Sequence, residues 1–220
     1  MSDRLKRTYA GYLFDLDGTL IDTAPDLHQA LLSTLDQFGM APVDESLTRH
    51  WIGHGARAMI EQALKHQSLS ADQDMEEMWK WFITAYESHI AVHSKPYPGV
   101  VDTLTRLQGR GAQLAVVTNK IEVLSAKILS ELKMAAFFEV LIGGDTTAHA
   151  KPAATPALEA CARLKLSITD VLFVGDSVTD VDCARAAGCD VVCVRDGYNQ
   201  GVAAHSLGAD AVIDSFLDLV

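Results

Sequence analysis

The stretch YLFDLDGTLIDTAPD, residues 12–26, decides the fold, because a short apolar run stops there at a cluster of acidic residues. The apolar run has the composition of a buried strand. Asp15 and Asp17 follow it two residues apart, a spacing that directs both carboxylates to the same side of an extended chain. Gly18 then allows the backbone to turn sharply. On its own, this pattern is equally typical of a polar turn after a strand.

Five further apolar runs follow, and helix-like segments separate them. The runs are QLAVVTN from Gln113, FFEVLIGGD from Phe137, VLFVGDS from Val171, DVVCVR from Asp190 and AVID from Ala211. Apolar spacing predicts helices over 99–109 and 121–133, a helix that starts at Pro156, and a helix that ends near Gly188. Short strands that alternate with amphipathic helices indicate an α/β fold, a Rossmann-like doubly wound parallel sheet.

One long segment, residues 23–94, interrupts this alternation and shows only helical spacing. Its apolar residues form three stripes, namely Leu27, Leu31, Leu35 and Phe38; Met59, Ile60, Ala63 and Leu64; and Met75, Met78, Trp79, Phe82, Tyr86 and Ile90. Such stripes are typical of helix faces that pack into a core. We therefore expect an α/β core domain from residues 1–22 and 95–220, and an inserted all-helical cap domain from residues 23–94. The run HSKPYPG is the expected return hinge.

Polar residues that suit one site follow several of the predicted strands. Thr118 and Asn119 end one run, Lys151 lies in the loop after another, and Asp176 ends a third, with Asp180 farther on. Loops at the carboxyl ends of parallel strands converge at one edge of the sheet. Carboxylates gathered there stay ionised only if a cation joins them, and oxygen ligands with room for water suit Mg²⁺. A Mg²⁺ ion beside a lysine and a hydroxyl is a receptor for phosphate, which a carboxylate can attack.

The ordered motifs DLDGT, a strand-end Thr, a loop Lys and GDSxxxD resemble those of the haloacid dehalogenase-like superfamily. The resemblance implies that Asp15 is the nucleophile and Asp17 the acid/base. It implies that Thr118 and Lys151 bind the phosphoryl group, and that Mg²⁺ is held by the carboxylates of Asp15 and Asp176 and the backbone carbonyl of Asp17. Asp180 is then either a metal ligand or a support for one. Dehalogenases of the superfamily lack the second aspartate, so Asp17 favours phosphoryl chemistry.

The cap run WIGHGARAM, residues 51–59, resembles the cap loop of bacterial phosphoglycolate phosphatases. The Gly-x-Gly turn and the arginine after it supply candidate substrate ligands from the cap: Gly53, His54, Gly55 and Arg57. Asn119 is a further candidate from the core domain. His54 departs from the Asn expected in close relatives, and GARAM is also similar to N-acetylmuramic acid 6-phosphate phosphatases. We expect a phosphatase of small phosphomonoesters with 2-phosphoglycolate as the substrate, and a sugar phosphate or N-acetylmuramic acid 6-phosphate as the alternatives. A phosphomutase and a non-catalytic binding protein are further alternatives.

Composition limits the partners. Hydrophobic residues make up 49% and charged residues 21%, as in ordinary globular proteins, and the net charge of −11 argues against nucleic acid and anionic membranes as partners. We expect a cytoplasmic monomer or homodimer that acts on a small phosphorylated metabolite. The four cysteines are expected to be buried thiols. The remaining histidines are expected to lie at the surface or at an interface, and Asp22 and Asp26 to cap the first cap helix or face solvent.

Overall fold

The computed structural model describes residues 7–69 and 74–220. In this part of the chain, a parallel sheet has six strands: β1 (Gly11–Phe14), β4 (Gln113–Val117), β5 (Val140–Ile142), β6 (Val171–Gly175), β7 (Asp190–Val194) and β8 (Ala211–Ile213). Their order is β5-β4-β1-β6-β7-β8, so β1 lies between β4 and β6. After β5 the chain crosses to the other side of β1, and this switch in strand order leaves a crevice at the carboxyl end of β1.

Helices cover both faces of the sheet. They are α5 (Val100–Gly109), α6 (Glu122–Glu131), α7 (Thr155–Leu164) and α8 (Val178–Ala187). Phe14 packs into the core that contains α5 and α6, whereas Leu13 packs into the core that contains α7 and α8. This alternation follows from the two-residue period of a strand. Short 3₁₀ turns at 135–137, 168–170, 204–206 and 216–219 complete the connections.

The described part of the insert consists of four helices and no strand. The helices are α1 (Ala24–Gln37), α2 (Glu45–Trp51), α3 (Ala56–His66) and α4 (Met75–Ser88), and α4 packs against both α1 and α3. Leu31, Ile60 and Phe82 are buried at their interfaces. The predicted α/β class with a helical insert is therefore confirmed. The exact division into domains at residues 22/23 and 94/95 stays a prediction.

A two-stranded antiparallel ribbon joins the insert to the sheet. It consists of β2 (Ile21–Asp22) and β3 (Lys95–Pro96), and it was not predicted, because two-residue strands carry no periodic signal. No helix in the two described ranges has both the length and the apolar character needed to span a membrane.

Three residues make contacts within the protein that their sequence positions did not indicate. Asp26 does lie in the first turn of α1, but its buried carboxylate accepts hydrogen bonds from the backbone N–H groups of His93 and Ser94, at 2.8–3.0 Å. It thereby ties the outgoing segment of the insert to the returning one. Asp22 accepts from the hydroxyl of Tyr198, and the ring of buried His28 lies 2.9 Å from Oγ1 of Thr48.

Candidate active site

Three buried aspartates meet at the carboxyl ends of β1 and β6. Asp15 follows β1, and its backbone N–H donates to the carbonyl of Val174 at 2.9 Å. Asp176 follows β6, and Asp180 lies in the first turn of α8. Each of the three contributes one carboxylate oxygen to a set whose members lie within 4.8 Å of one another. Asp15 and Asp180 are 165 positions apart in the sequence, and the pairing of β1 with β6 brings them together.

Asp180 organises the loop around it with both carboxylate oxygens. Oδ2 accepts from the backbone N–H groups of Asp176 and Ser177 at 3.1 Å, and from the Ser177 hydroxyl at 2.8 Å. These bonds form a capping box that starts α8. Oδ1 lies 2.6 Å from Nζ of Lys151. Because protein groups engage both oxygens, the arrangement favours Asp180 as a support for the aspartate cluster.

Asp176 is held in place by residues from two distant loops. Its Oδ1 accepts from the hydroxyl of Thr19 at 2.8 Å, and its Oδ2 accepts from the backbone N–H of Tyr198. A Cβ at Gly18, where φ is +84°, would collide with Oδ2 of Asp176 and the ring of Tyr198. A side chain at position 18 is therefore excluded by the closeness of the loops as well as by the backbone conformation.

Lys151 is the cation within this group. Its Nζ lies 2.8 Å from Oδ1 of Asp15, and its side chain is 1% exposed. Burial alone lowers the pKa of a lysine, but here the charges of Asp15 and Asp180 outweigh it and raise the pKa of Lys151 above its usual value. Burial raises the pKa of Asp15 to about 6, although Lys151 offsets part of the rise. Burial, together with Asp180 and Asp15, raises the pKa of Asp176 well above its usual value.

The donor set fits a divalent metal ion. Three buried carboxylates carry up to three negative charges, while Lys151 supplies a single positive charge among them. Burial is the main reason that the pKa values of Asp15 and Asp176 are raised, and the neighbouring carboxylates add to it; a divalent cation would offset both effects. An all-oxygen set without histidine or thiolate matches the hard cations.

Thr118, Asn119 and Lys120 follow β4 and line the other side of the crevice. Thr118 is buried, and its hydroxyl accepts from the backbone N–H of Lys120 at 3.2 Å. Asn119 donates from Nδ2 to the carbonyls of Gly53 and Lys151, at 3.0 Å each. Asn119 therefore connects the insert to the lysine loop, a bridging contact that its strand-end position did not predict.

Lys120 is a buried cation that the sequence analysis missed. Its Nζ lies 2.9 Å from both carboxylate oxygens of Asp17, whose Oδ1 also accepts from the Thr23 hydroxyl at 2.7 Å. The charge of Asp17 outweighs the effect of burial and raises the pKa of Lys120 above its usual value. The available signal was a lysine directly after the strand-end pair Thr118-Asn119, but lysine is so common in loops that the signal is weak.

A cavity of about 270 Å³ lies between these residues and the insert. Asp15, Asp17 and Thr118 line it from the sheet, and the predicted cap residues line it from the insert; these are Gly53, His54, Gly55 and Arg57. Much of its remaining wall is apolar, including Leu27, Met59, Trp79, Phe82, Ile83 and Leu124. The cap candidates thus face the same space as the aspartates.

Two of the cap candidates already have partners within the protein. The guanidinium of Arg57 pairs with Glu76 and lies 4.9 Å from the ring centroid of Trp79. Nε2 of His54 lies 2.8 Å from Nε2 of Gln200. Arg57 is therefore held at the half-exposed rim of the cavity, while His54 links the insert to the loop after β7.

The family model for haloacid dehalogenase-like hydrolases matches residues 12–194, which include the aspartates, Thr118 and Lys151. The chain belongs to this family. It is 39% identical over 212 residues to phosphoglycolate phosphatase 1 of Pseudomonas aeruginosa, covering 94% of this chain and 77% of that protein. It is 40% identical over 207 residues to the phosphoglycolate phosphatase of Caulobacter vibrioides, covering 94% and 87%.

Two solved structures have the same fold as this chain. The crystal structure of a predicted phosphoglycolate phosphatase from Haemophilus somnus superimposes with a TM-score of 0.91 at 32% identity, over 96% of each chain. A second, from Lactobacillus delbrueckii, gives a TM-score of 0.89 over 97% of each chain, but at 24% identity it bears on the fold alone.

Proposed function

We propose that this hydrolase is a phosphatase of small phosphomonoesters, and that it works through an aspartyl-phosphate on Asp15. The observation that carries the proposal is the cluster of Asp15, Asp176 and Asp180, in which Lys151 pairs with Asp15 and Asp180, beside a cavity that Asp15, Asp17 and Thr118 line. The nearby hydroxyls of Thr19, Thr23 and Ser177 are each engaged in a hydrogen bond to an aspartate. A carboxylate beside a buried ammonium is instead suited to attack phosphorus.

In the first half of the reaction, a carboxylate oxygen of Asp15 attacks the phosphorus atom. The bond from phosphorus to the leaving oxygen breaks, and that oxygen takes a proton from the Asp17 carboxyl group. Thr118 donates from its hydroxyl, and Lys151 from its ammonium, to the phosphoryl oxygens. In the second half, Asp17 removes a proton from water while the water oxygen attacks phosphorus. The bond to Asp15 breaks, which releases phosphate and restores the carboxylate.

Asp15, Asp176 and the backbone carbonyl of Asp17 would hold a Mg²⁺ ion. When bound, the ion supplies positive charge to the phosphoryl oxygens and offsets the repulsion between the aspartates. Thr19, the N–H of Tyr198 and Asp180 orient those ligands through the hydrogen bonds described above.

The substrate we propose is 2-phosphoglycolate, which would be cleaved to glycolate and phosphate. Support comes from relatives of 39% and 40% identity that are phosphoglycolate phosphatases. The cavity, at about 270 Å³, is slightly smaller than the usual range for small-molecule sites, so it suits a small leaving group.

Phosphate release from a panel of substrates tests the proposal. The panel contains 2-phosphoglycolate, p-nitrophenyl phosphate, glucose 6-phosphate and N-acetylmuramic acid 6-phosphate, each with Mg²⁺ and with EDTA. We expect the highest kcat/KM for 2-phosphoglycolate and loss of activity in EDTA. Full activity in EDTA would contradict the metal, and a preference for a sugar phosphate would contradict the substrate but leave the chemistry intact.

A further inference from the structure

Lys120 is buried beside the cavity, and the phosphoryl chemistry above leaves it without a role. Its ammonium contacts both oxygens of Asp17 at 2.9 Å and lies 4.6 Å from the ring centroid of Tyr86, on helix α4 of the insert. It is therefore held between the sheet and the insert, and both Lys120 and Asp17 line the cavity. Both the charge of Asp17 and the face of the Tyr86 ring favour the ionised form of this buried lysine.

The surroundings of Lys120 decide what it can recognise. Among the described residues that line the cavity, the other permanently charged cation is Arg57, which Glu76 neutralises at the rim. Lys151 pairs with Asp15 and Asp180 and is not among the residues that line the cavity. An anionic group that enters the apolar part of the cavity thus meets Lys120 as its buried counter-charge.

We propose that Lys120 is a specificity-determining residue that binds a carboxylate on the leaving portion of the substrate. The inference rests on the proposed function and names its substrate class, the phosphomonoesters of 2-hydroxy acids. An ammonium has three N–H donors, so Lys120 can keep its contact with Asp17 while it donates to a second anion. Such a charge-assisted hydrogen bond inside an apolar cavity is stronger than one at the surface.

The contact between Lys120 and Asp17 also limits the length of the substrate. The leaving oxygen must reach the Asp17 carboxyl group, and Nζ of Lys120 lies 2.9 Å from that same group. The carboxylate must therefore be close to the leaving oxygen. One intervening carbon, as in a 2-hydroxy acid, satisfies this requirement, and a longer spacer displaces the carboxylate from the ammonium.

The kinetic test compares 2-phosphoglycolate with ethyl phosphate, which has a similar size but no carboxylate, and with 3-phosphooxypropanoate, which has a longer spacer. We expect Lys120→Met to reduce the preference for 2-phosphoglycolate over ethyl phosphate by about 30-fold or more, mainly through KM. Lys120→Arg should keep that preference within about fivefold, because it keeps the charge. The control Lys127→Met removes a lysine that pairs with Glu87 at the surface, and should leave the preference unchanged.

A binding test separates this inference from the proposed function. The non-hydrolysable acids 3-phosphonopropionate and propylphosphonate differ only in the carboxylate, and calorimetry measures both without turnover. Wild type should bind the first more tightly by about 30-fold, and Lys120→Met should remove the difference. The double variant Asp17→Asn/Lys120→Gln, which leaves no unpaired buried charge, should remove it as well.

If Lys120→Met lowers kcat/KM equally for 2-phosphoglycolate and ethyl phosphate, and affinity equally for the two phosphonates, the inference is overturned. Lys120 would then only position Asp17. Absence of any phosphatase activity in wild type, with the binding preference intact, would instead contradict the proposed function.

Discussion

The ammonium of Lys151 lies 2.6 Å from Oδ1 of Asp180, and both side chains are almost completely buried. Asp180 therefore joins the lysine loop to the start of α8, where its other oxygen caps the helix. Removing one partner of a buried pair leaves an uncompensated charge, which typically costs about 3–5 kcal/mol.

Asp180→Asn should lower both the stability of the protein and its affinity for Mg²⁺. The amide offers a donor where Lys151 or the backbone N–H groups need an acceptor, so at least one of these bonds is lost. We expect Mg²⁺ affinity to fall about 10- to 100-fold, measured by calorimetry, with a lower melting temperature. Asp182→Asn, on the exposed face of the same helix, is the matched control and should change neither. Unchanged Mg²⁺ affinity in Asp180→Asn would show that the metal site does not depend on this support.

Gly18→Ala should disturb the metal site through a collision with Asp176 and Tyr198. Gly18 and Gly39 both have positive φ angles, +84° and +68°, but a Cβ at Gly39 meets no atom within 4 Å. Gly39→Ala thus measures the backbone strain alone, about 1 kcal/mol. Gly18→Ala should lower the free energy of unfolding by more than Gly39→Ala does, as measured by denaturant titration. It should also weaken Mg²⁺ binding. Equal costs for the two variants would contradict the close packing at Asp176.

The metal-free protein should lose stability through Asp15 as the pH rises. Burial raises the pKa of Asp15 to about 6 in the folded state, against 3.8 for the free group. The stabilising contribution of its protonated form is therefore complete below the unfolded value and is lost as the pH rises through 6. Between pH 5 and 7.5 this amounts to roughly 1 kcal/mol.

Comparison with Asp15→Asn separates the effect of the interacting pair Asp15 and Asp176 from that of opposing groups elsewhere. Burial lowers the pKa of His28, which adds stability as the pH rises. The difference in unfolding free energy between wild type and Asp15→Asn, both in EDTA, cancels that contribution. We expect the unfolding free energy of wild type to fall relative to that of Asp15→Asn between pH 5 and 7.5. Added Mg²⁺ should stabilise wild type more at pH 7.5 than at pH 5. A difference that does not change with pH would contradict the raised pKa.

Tyr198→Phe should loosen the connection between the metal site and the insert. The Tyr198 hydroxyl donates to Asp22 and accepts from the backbone N–H of Ala24 at 2.8 Å, while its backbone N–H holds Asp176. Phenylalanine keeps the backbone bond but leaves the N–H of Ala24 unpaired, at a cost of about 1–3 kcal/mol. We expect faster hydrogen exchange in residues 21–26 with little change in Mg²⁺ affinity. Tyr12→Phe is the control for loss of a phenol from a buried ring outside this network. Exchange that is unchanged in Tyr198→Phe would contradict the connection.

The sequence was sufficient for the fold because strands, helices and their order each leave a periodic signal. Four site residues could be predicted because they follow apolar runs, and the parallel sheet brings such positions together. They are Asp15, Thr118, Lys151 and Asp176. Their chemical roles stay predictions.

Other features depend on contacts that no local pattern encodes. Lys120 is notable only because β4 lies beside β1, which brings it to Asp17. Asp26 likewise resembled a solvent-facing residue of a helix start, because its partners, His93 and Ser94, are 67 and 68 positions away.

Detection of a phosphorylated aspartate is the most direct test of the central claim. Wild-type protein with Mg²⁺ and 2-phosphoglycolate would be quenched in acid during turnover and digested, and its peptides weighed by mass spectrometry. We expect an acid-stable, hydroxylamine-sensitive phosphate on Asp15, absent in Asp15→Asn and present in the surface control Asp36→Asn. Phosphate release without any label on Asp15, or with the label on another residue, would contradict the account.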